Sequence, residues 1–309
     1  MSSSQSITSF MPSPPFNDPS ADTILRTSDG VAFRVYRAVL VCASPFFRQL
    51  FSLPHADTEA ETPVLPIDEA SHLFDRFLKM WYPGAHTLVA FDGLEELDSL
   101  IELILGKYDM HFLTPLLQKH LHNYIETHCV GVFAIACYRG WRDVAQAAAE
   151  QALKTDLFAV LGDTTSKPQL KHLSAGHFQA LLKYHHACGV AAASAGRMLP
   201  FSSAEYCWLK CGTCAAYTQV YEPIATGFPH RVHPRAWIFE YLEETSAVLT
   251  LKPRATFYAL NSLVSAHIKA AACNGGPCRA QGPRDIAVFI TDKYLPAVNA
   301  AIESVELDI

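Results

Sequence analysis

The stretch from Asp22 to Phe51 constrains the fold of this chain more than any other. Thr23-Ile24-Leu25-Arg26 and Val31-Ala32-Phe33-Arg34-Val35 are β-prone runs joined at Asp29-Gly30, a dipeptide that favours a tight hairpin turn. In the second run Val31, Phe33 and Val35 alternate with Ala32 and Arg34, the period-two pattern of a strand with one buried face. Two short helices follow. One covers about Tyr36 to Cys42. The next starts after Ser44-Pro45, with Ser as N-cap and Pro at the first helical position, and its face Phe46, Phe47, Leu50 and Phe51 is apolar.

Further along, Pro63-Val64-Leu65-Pro66-Ile67 reads as a strand that its prolines confine to an edge or an end. Three helical stripes come next. The first is Leu73, Phe74, Phe77, Leu78 and Trp81, closed by Pro83-Gly84. The second is Leu94, Leu97, Leu100, Ile101, Ile104 and Leu105, and the third runs from Phe112 through Leu117 and Leu121 to Ile125. Beyond residue 128 the pattern stays helical. Stripes start at Val132, Trp141, Phe178, Trp237, Phe257 (with Leu260, Leu263, Val264 and Ile268) and Ile286, and Gly162 to Pro168 reads as a loop.

The order β-β-α-α-β-α-(β)-α-α over residues 21–128, the bracketed strand being optional, resembles a BTB/POZ domain. The resemblance rests on the tract from Asp22 through Phe33, Tyr36-Arg37 and Leu40, on Ala43-Ser44-Pro45-Phe46-Phe47, on Trp81-Tyr82-Pro83-Gly84 and on Lys107-Tyr108-Asp109-Met110. Tyr36 stands where the family usually has His, which alters a polar contact more than the fold. The phrasing is most similar to fungal, mushroom-type members. The implied fold class is α+β: a BTB/POZ fold over 21–128, then a mainly α-helical C-terminal domain over 129–309. The first 20 residues, with seven Ser and four Pro, read as a flexible tail.

Lys plus Arg total 24 and Asp plus Glu 30, a formal net charge of −6 with no basic cluster, which argues against direct nucleic-acid binding. No apolar run approaches the roughly 18 residues of a membrane span. The N-terminal residues lack the basic and apolar regions of a signal peptide, so cytoplasm or nucleus is the expected compartment. Nine cysteines there stay reduced and are read for metal or redox chemistry before disulfides.

Cys42, Cys129 and Cys137 stand singly in apolar helical contexts and read as small core residues. Cys211-Gly-Thr-Cys214 has the spacing that brings two thiolates to one tetrahedral ion, and Cys273-Asn-Gly-Gly-Pro-Cys278 is a looser knuckle whose glycines permit a tight loop. A structural zinc held by Cys211, Cys214, Cys273 and Cys278 would bridge the 58 residues between Cys214 and Cys273, stapling distant helix ends within 207–278. Two alternatives stand beside it. Cys207, Cys211 and Cys214 fall at i, i+4 and i+7 and could form one buried helix face of plain thiols, or a pair could serve as a redox dithiol. Cys188 with His185 and His186 is a reserve ligand set. The remaining histidines, among them His111, His120, His122, His128, His230 and His233, read as solvated, helix-end or loop residues. Asp92, Glu95, Glu96, Asp98 and Glu102 read as a solvated acidic face at a helix start. No nucleophile elbow, phosphate loop, dinucleotide fingerprint or His-Glu-x-x-His pattern occurs, so the chain does not read as an enzyme.

The resemblance implies a protein–protein interaction module that self-associates as a homodimer or higher oligomer. Its further implied roles are a substrate adaptor binding a cullin of a RING ubiquitin ligase or, alternatively, a transcriptional or chromatin co-factor scaffold. A metal-dependent or redox enzyme built on the C-terminal cysteines is the reading from a different class. Asp22 and Arg37 match the acidic and basic positions lining the family's charged pocket, and the plainer reading of the same two residues is a buried ion pair.

Overall fold

Leu25 and Phe33 are paired across an antiparallel hairpin and both are fully buried. The strands are β1 (Thr23–Arg26) and β2 (Ala32–Val35), and β3 (Val64–Pro66) runs parallel to β1 on its other side, giving the order β2-β1-β3. The Pro-flanked strand therefore lies at an edge, as its missing N–H donors require. The computed structural model describes residues 10–53, 62–85, 90–162, 168–195, 206–216, 235–255 and 261–309. They fall into two units, Met1–Tyr124 and Ile125–Ile309.

In the first unit, α1 (Arg37–Ala43) and α2 (Pro45–Ser52) follow the hairpin. Ser44 does cap α2: its hydroxyl accepts from Phe47 N–H at 3.4 Å and donates to the Tyr108 carbonyl at 2.6 Å. Helices α3 (Ser71–Trp81), α4 (Leu94–Glu102) and α5 (Thr114–His122) complete the unit. Tyr108 sits at the centre of its core. Its ring stacks between Phe47 and Phe77, with centroids at 5.0 and 4.5 Å, and its hydroxyl donates to Glu69 at 3.1 Å. Burial, reinforced by the Glu69 carboxylate, pushes the phenol far above its ordinary range, so it stays a neutral donor.

Several local expectations fail for identifiable reasons. Between α4 and Tyr108 the backbone forms a wide π turn over Leu103–Lys107. The extra residue in that turn rotates the stripe, so Leu103 and Ile104 are buried while Leu105 is half-exposed. The acidic face is not wholly solvated: Asp98 is buried, and Glu96 lies under Arg76 with Nε at 2.9 Å. Cys42 is exposed rather than packed in the core. Residues 10–20 are not a free tail. Phe16 is fully buried, with its ring 5.4 Å from Tyr82 and 6.1 Å from Phe33, and its carbonyl accepts from Arg34 N–H at 2.9 Å. Ser and Pro content had masked one well-placed aromatic. The rest of that stretch, 1–9, lies outside the described residues.

The second unit is helical among its described residues. It comprises α6 (Ile125–Arg139), α7 (Arg142–Ala152), α8 (Leu157–Gly162), α9 (Ala175–Ala195), the short α10 (Cys207–Lys210), α11 (Ala236–Leu251), α12 (Asn261–Ala271), α13 (Pro277–Phe289) and α14 (Leu295–Glu303). Helix α6 kinks at His128 (φ −135°, ψ 41°), just past the junction of the two units. Helices α9 and α11 cross closely at Gly189, where an added Cβ would stand 2.4 Å from the Thr250 carbonyl oxygen. On α12, Leu263 is buried but Val264 and Ile268 face solvent, so the buried stripe runs through Ser262 and Ala266 instead. The loop expected after Gly162, the start of the stripe at Phe257 and Leu260, and His230 and His233 fall outside the described residues. Among the described residues no helix is long and apolar enough to cross a membrane.

Candidate functional site

Asp22 precedes β1 and Arg37 opens α1, and the two meet through the backbone. Asp22 Oδ1 accepts from the Arg37 backbone N–H at 2.7 Å. Tyr36, at the N-cap position, supplies no side-chain cap, so a carboxylate from the strand side satisfies this orphan donor. The Arg37 guanidinium turns elsewhere, donating to the Phe51 carbonyl at 2.9 Å and lying 4.9 Å over the Phe51 ring. Both residues are exposed, and with Val41, Arg48, Phe51 and Ser52 they line a shallow recess open to water. The buried ion pair is thus corrected: the carboxylate is taken by an amide, and the guanidinium reaches a carbonyl and an aromatic face while staying hydrated. Sequence reasoning placed Asp22 and Arg37 together but missed Arg48 and Phe51, whose only signal was their position on the following helix.

The second candidate site lies in the C-terminal unit. One sulfur each from Cys211, Cys214, Cys273 and Cys278 gather within 4.8 Å of one another. Cys211 ends the short α10, Cys273 follows α12, and Cys278 sits in the first turn of α13. The three-cysteine helix face does not form, because α10 stops at Lys210 and Cys211 has an extended backbone (φ −70°, ψ 123°). Cys211, Cys273 and Cys278 are buried and Cys214 is partly so. Cys207 is buried next to them, with its backbone N–H donating to Asp285 at 2.8 Å.

Polar donors surround two of these sulfurs. The Thr213 hydroxyl is 3.0 Å from Cys273 Sγ and 3.3 Å from Cys211 Sγ. Burial pushes the Cys211 thiol up, but the Thr213 hydroxyl and the backbone N–H groups of Cys214 and Thr213 outweigh it and hold the group well below the ordinary thiol value. Cys273 is likewise lowered, first by Thr213 and also by the Gly276 N–H, whereas burial raises Cys214 and Cys278. The reserve set does not join this cluster. His185 is buried with Nε2 3.2 Å from the Thr155 carbonyl, His186 is exposed, and burial lifts the Cys188 thiol to about 11. A separate grouping of His72, Asp92 and Glu96 is largely exposed, and both of its carboxylates already pair with Arg76.

The three-stranded sheet, its two capped helices and the Tyr108-centred core coincide with a known domain: residues 16–125 match the family model of the BTB/POZ domain. Residues 16–125 are a BTB/POZ domain. The match ends at the boundary between the two units and takes in Phe16, consistent with its burial. No curated protein matches the chain. Within the BTB/POZ domain, the position where Tyr36 replaces the usual His is used differently from a core contact. The Tyr36 hydroxyl donates to Asp18 at 2.6 Å, and its backbone N–H donates to the Tyr82 hydroxyl at 2.7 Å. Tyr36 thereby ties the segment before β1 to the start of α1. The BTB/POZ match supports a protein-interaction role for residues 16–125, and the recess at Asp22 and Arg37 lies on an exposed face of that domain.

Proposed function

We propose that the BTB/POZ domain pairs two copies of this chain and docks a cullin, so that the protein serves as a substrate adaptor of a cullin-RING ubiquitin ligase. The observation carrying the reading is the BTB/POZ domain at residues 16–125, since self-association and partner binding are common properties of such domains. Support comes from what this domain leaves in water. Arg37 and Arg48 stand beside the Phe51 recess, and Leu53 (56% exposed) and Phe112 (60%) are large apolar side chains on its surface. Exposed aromatic and arginine side chains are enriched in protein interfaces. In this reading the helical C-terminal unit selects what is delivered, and the protein works in the cytoplasm or nucleus.

The test is light scattering on the purified chain, followed by titration against the N-terminal domain of the BTB-binding cullin from the same organism. A dimer that binds the cullin saturably at micromolar concentration or tighter is the expected result. A folded monomer overturns self-association. A folded dimer that does not bind overturns the adaptor role and favours a self-associating scaffold for transcriptional or chromatin complexes.

A further inference from the structure

We propose that Cys211, Cys214, Cys273 and Cys278 hold one zinc ion as four thiolates, a closed structural site that staples the end of α10 to the α12–α13 corner. This goes beyond the interaction reading and does not depend on it.

The first argument is geometric. A tetrahedron of Zn–S bonds about 2.3 Å long has edges of about 3.8 Å. Cys211 Sγ and Cys273 Sγ, 62 positions apart in sequence, stand at 3.6 Å, and all four sulfurs lie within 4.8 Å of one another. That spacing is far too long for a disulfide bond of about 2.05 Å and close to what a shared tetrahedral ion needs.

The second argument is the shape of the loops. Gly275 has φ +73°, the left-handed conformation that lets the chain turn back between Cys273 and Cys278. At Gly276 an added Cβ would stand 2.7 Å from Cys273 Sγ, 2.8 Å from Cys211 Sγ and 2.3 Å from Thr213 Oγ1. Backbone is therefore pressed directly against the sulfurs. No side chain fits between this backbone and the sulfurs, and a knuckle wrapped around an ion needs its backbone at that distance.

The third argument is the donor set. The Thr213 hydroxyl contacts Cys211 and Cys273, the N–H groups of Thr213 and Cys214 point at Cys211, and that of Gly276 points at Cys273. Such donors offset the surplus negative charge of four thiolates around one divalent ion. Four sulfurs around one centre also select a soft tetrahedral metal and leave no open position for substrate, so the role is structural.

The experiment uses the full chain purified under reducing conditions without added metal, with metal content measured by mass spectrometry. One zinc per chain is expected, and a strong chelator should release four further thiols to a thiol reagent beyond those, exposed Cys42 among them, that react without it. Cys214→Ser and Cys278→Ser should each lose the zinc, while Cys42→Ser, at an exposed site outside the cluster, should keep it. Gly276→Ala keeps all four sulfurs and should surrender zinc to a chelator at least ten-fold faster. Should the serine variants fail to fold, chelated wild-type protein reloaded with Co²⁺ should show the intense visible bands of a tetrahedral cobalt thiolate. Metal removal should lower the melting temperature of the C-terminal unit by about 10 °C or more. A folded chain that binds no zinc when offered it, nine freely reactive thiols, an iron centre in place of zinc, a reversible disulfide among the four, or full zinc retention by Cys214→Ser would each overturn the assignment.

Discussion

The Asp22 carboxylate accepts from the backbone N–H of Arg37 at 2.7 Å, while the Arg37 guanidinium bonds to the Phe51 carbonyl. Asp22 is therefore a helix cap delivered from the strand side, and Arg37 is a surface side chain braced against a ring. Replacing Asp22 by Ala should cost about 1 kcal/mol, the usual loss on removing a cap. Arg37→Ala should cost less, because only an exposed guanidinium contact goes. Urea unfolding of the two variants checks the order. A larger loss for Arg37→Ala would mean that a charge pair, after all, governs this corner.

Asp29 does the same for α3. Its carboxylate accepts from Ser71 N–H at 3.0 Å and from the Ser71 hydroxyl at 2.6 Å, because Ala70 at the N-cap position offers nothing. The Ser71 hydroxyl, followed by Thr27, holds the Asp29 carboxyl below its ordinary value, which is about 3.9. A depressed folded value means this contribution is complete above the unfolded value and is lost as pH falls through the folded one. Melting temperature should therefore drop more steeply below about pH 4 in wild type than in Asp29→Asn. Parallel acid limbs for the two proteins would exclude the effect.

Phe16→Ala should destabilise the BTB/POZ domain by about 3 kcal/mol, the range for emptying a fully buried aromatic site. Tyr36→Phe removes only the hydroxyl that holds Asp18 and should have a much smaller effect. Thermal unfolding followed by near-UV circular dichroism separates the two. If Phe16→Ala melted like wild type, the segment before β1 would be dispensable.

At Gly189 there is no room for a methyl group between α9 and α11. The clash is with the Thr250 backbone, which cannot swing aside as a side chain would. Gly189→Ala should cost roughly 1–3 kcal/mol through overpacking, despite the better helix propensity of Ala. A variant as stable as wild type, measured by urea unfolding, would show that the two helices can part at little cost.

Much of the first domain could be read from neighbours in sequence. The hairpin at Asp29-Gly30, the Ser44-Pro45 helix start and the edge strand at Val64 follow from turn, cap and proline chemistry that acts over a few residues. The four cysteines were legible for the same reason, since ligand spacing within each pair is local. Tertiary structure decided what local chemistry leaves open. Sequence gives no indication that Asp22 and Asp29 would satisfy helix donors 15 and 42 positions away, because an orphan N–H takes whichever acceptor the fold delivers. Phe16 was hidden among Ser and Pro, and only a pocket formed by Phe33 and Tyr82 makes its burial favourable. Likewise the sulfurs of the pairs at Cys211 and Cys273 gather only because α12 and α13 turn back on α10, an arrangement set by packing around Trp208 and Phe289 rather than by the spacing of the cysteines.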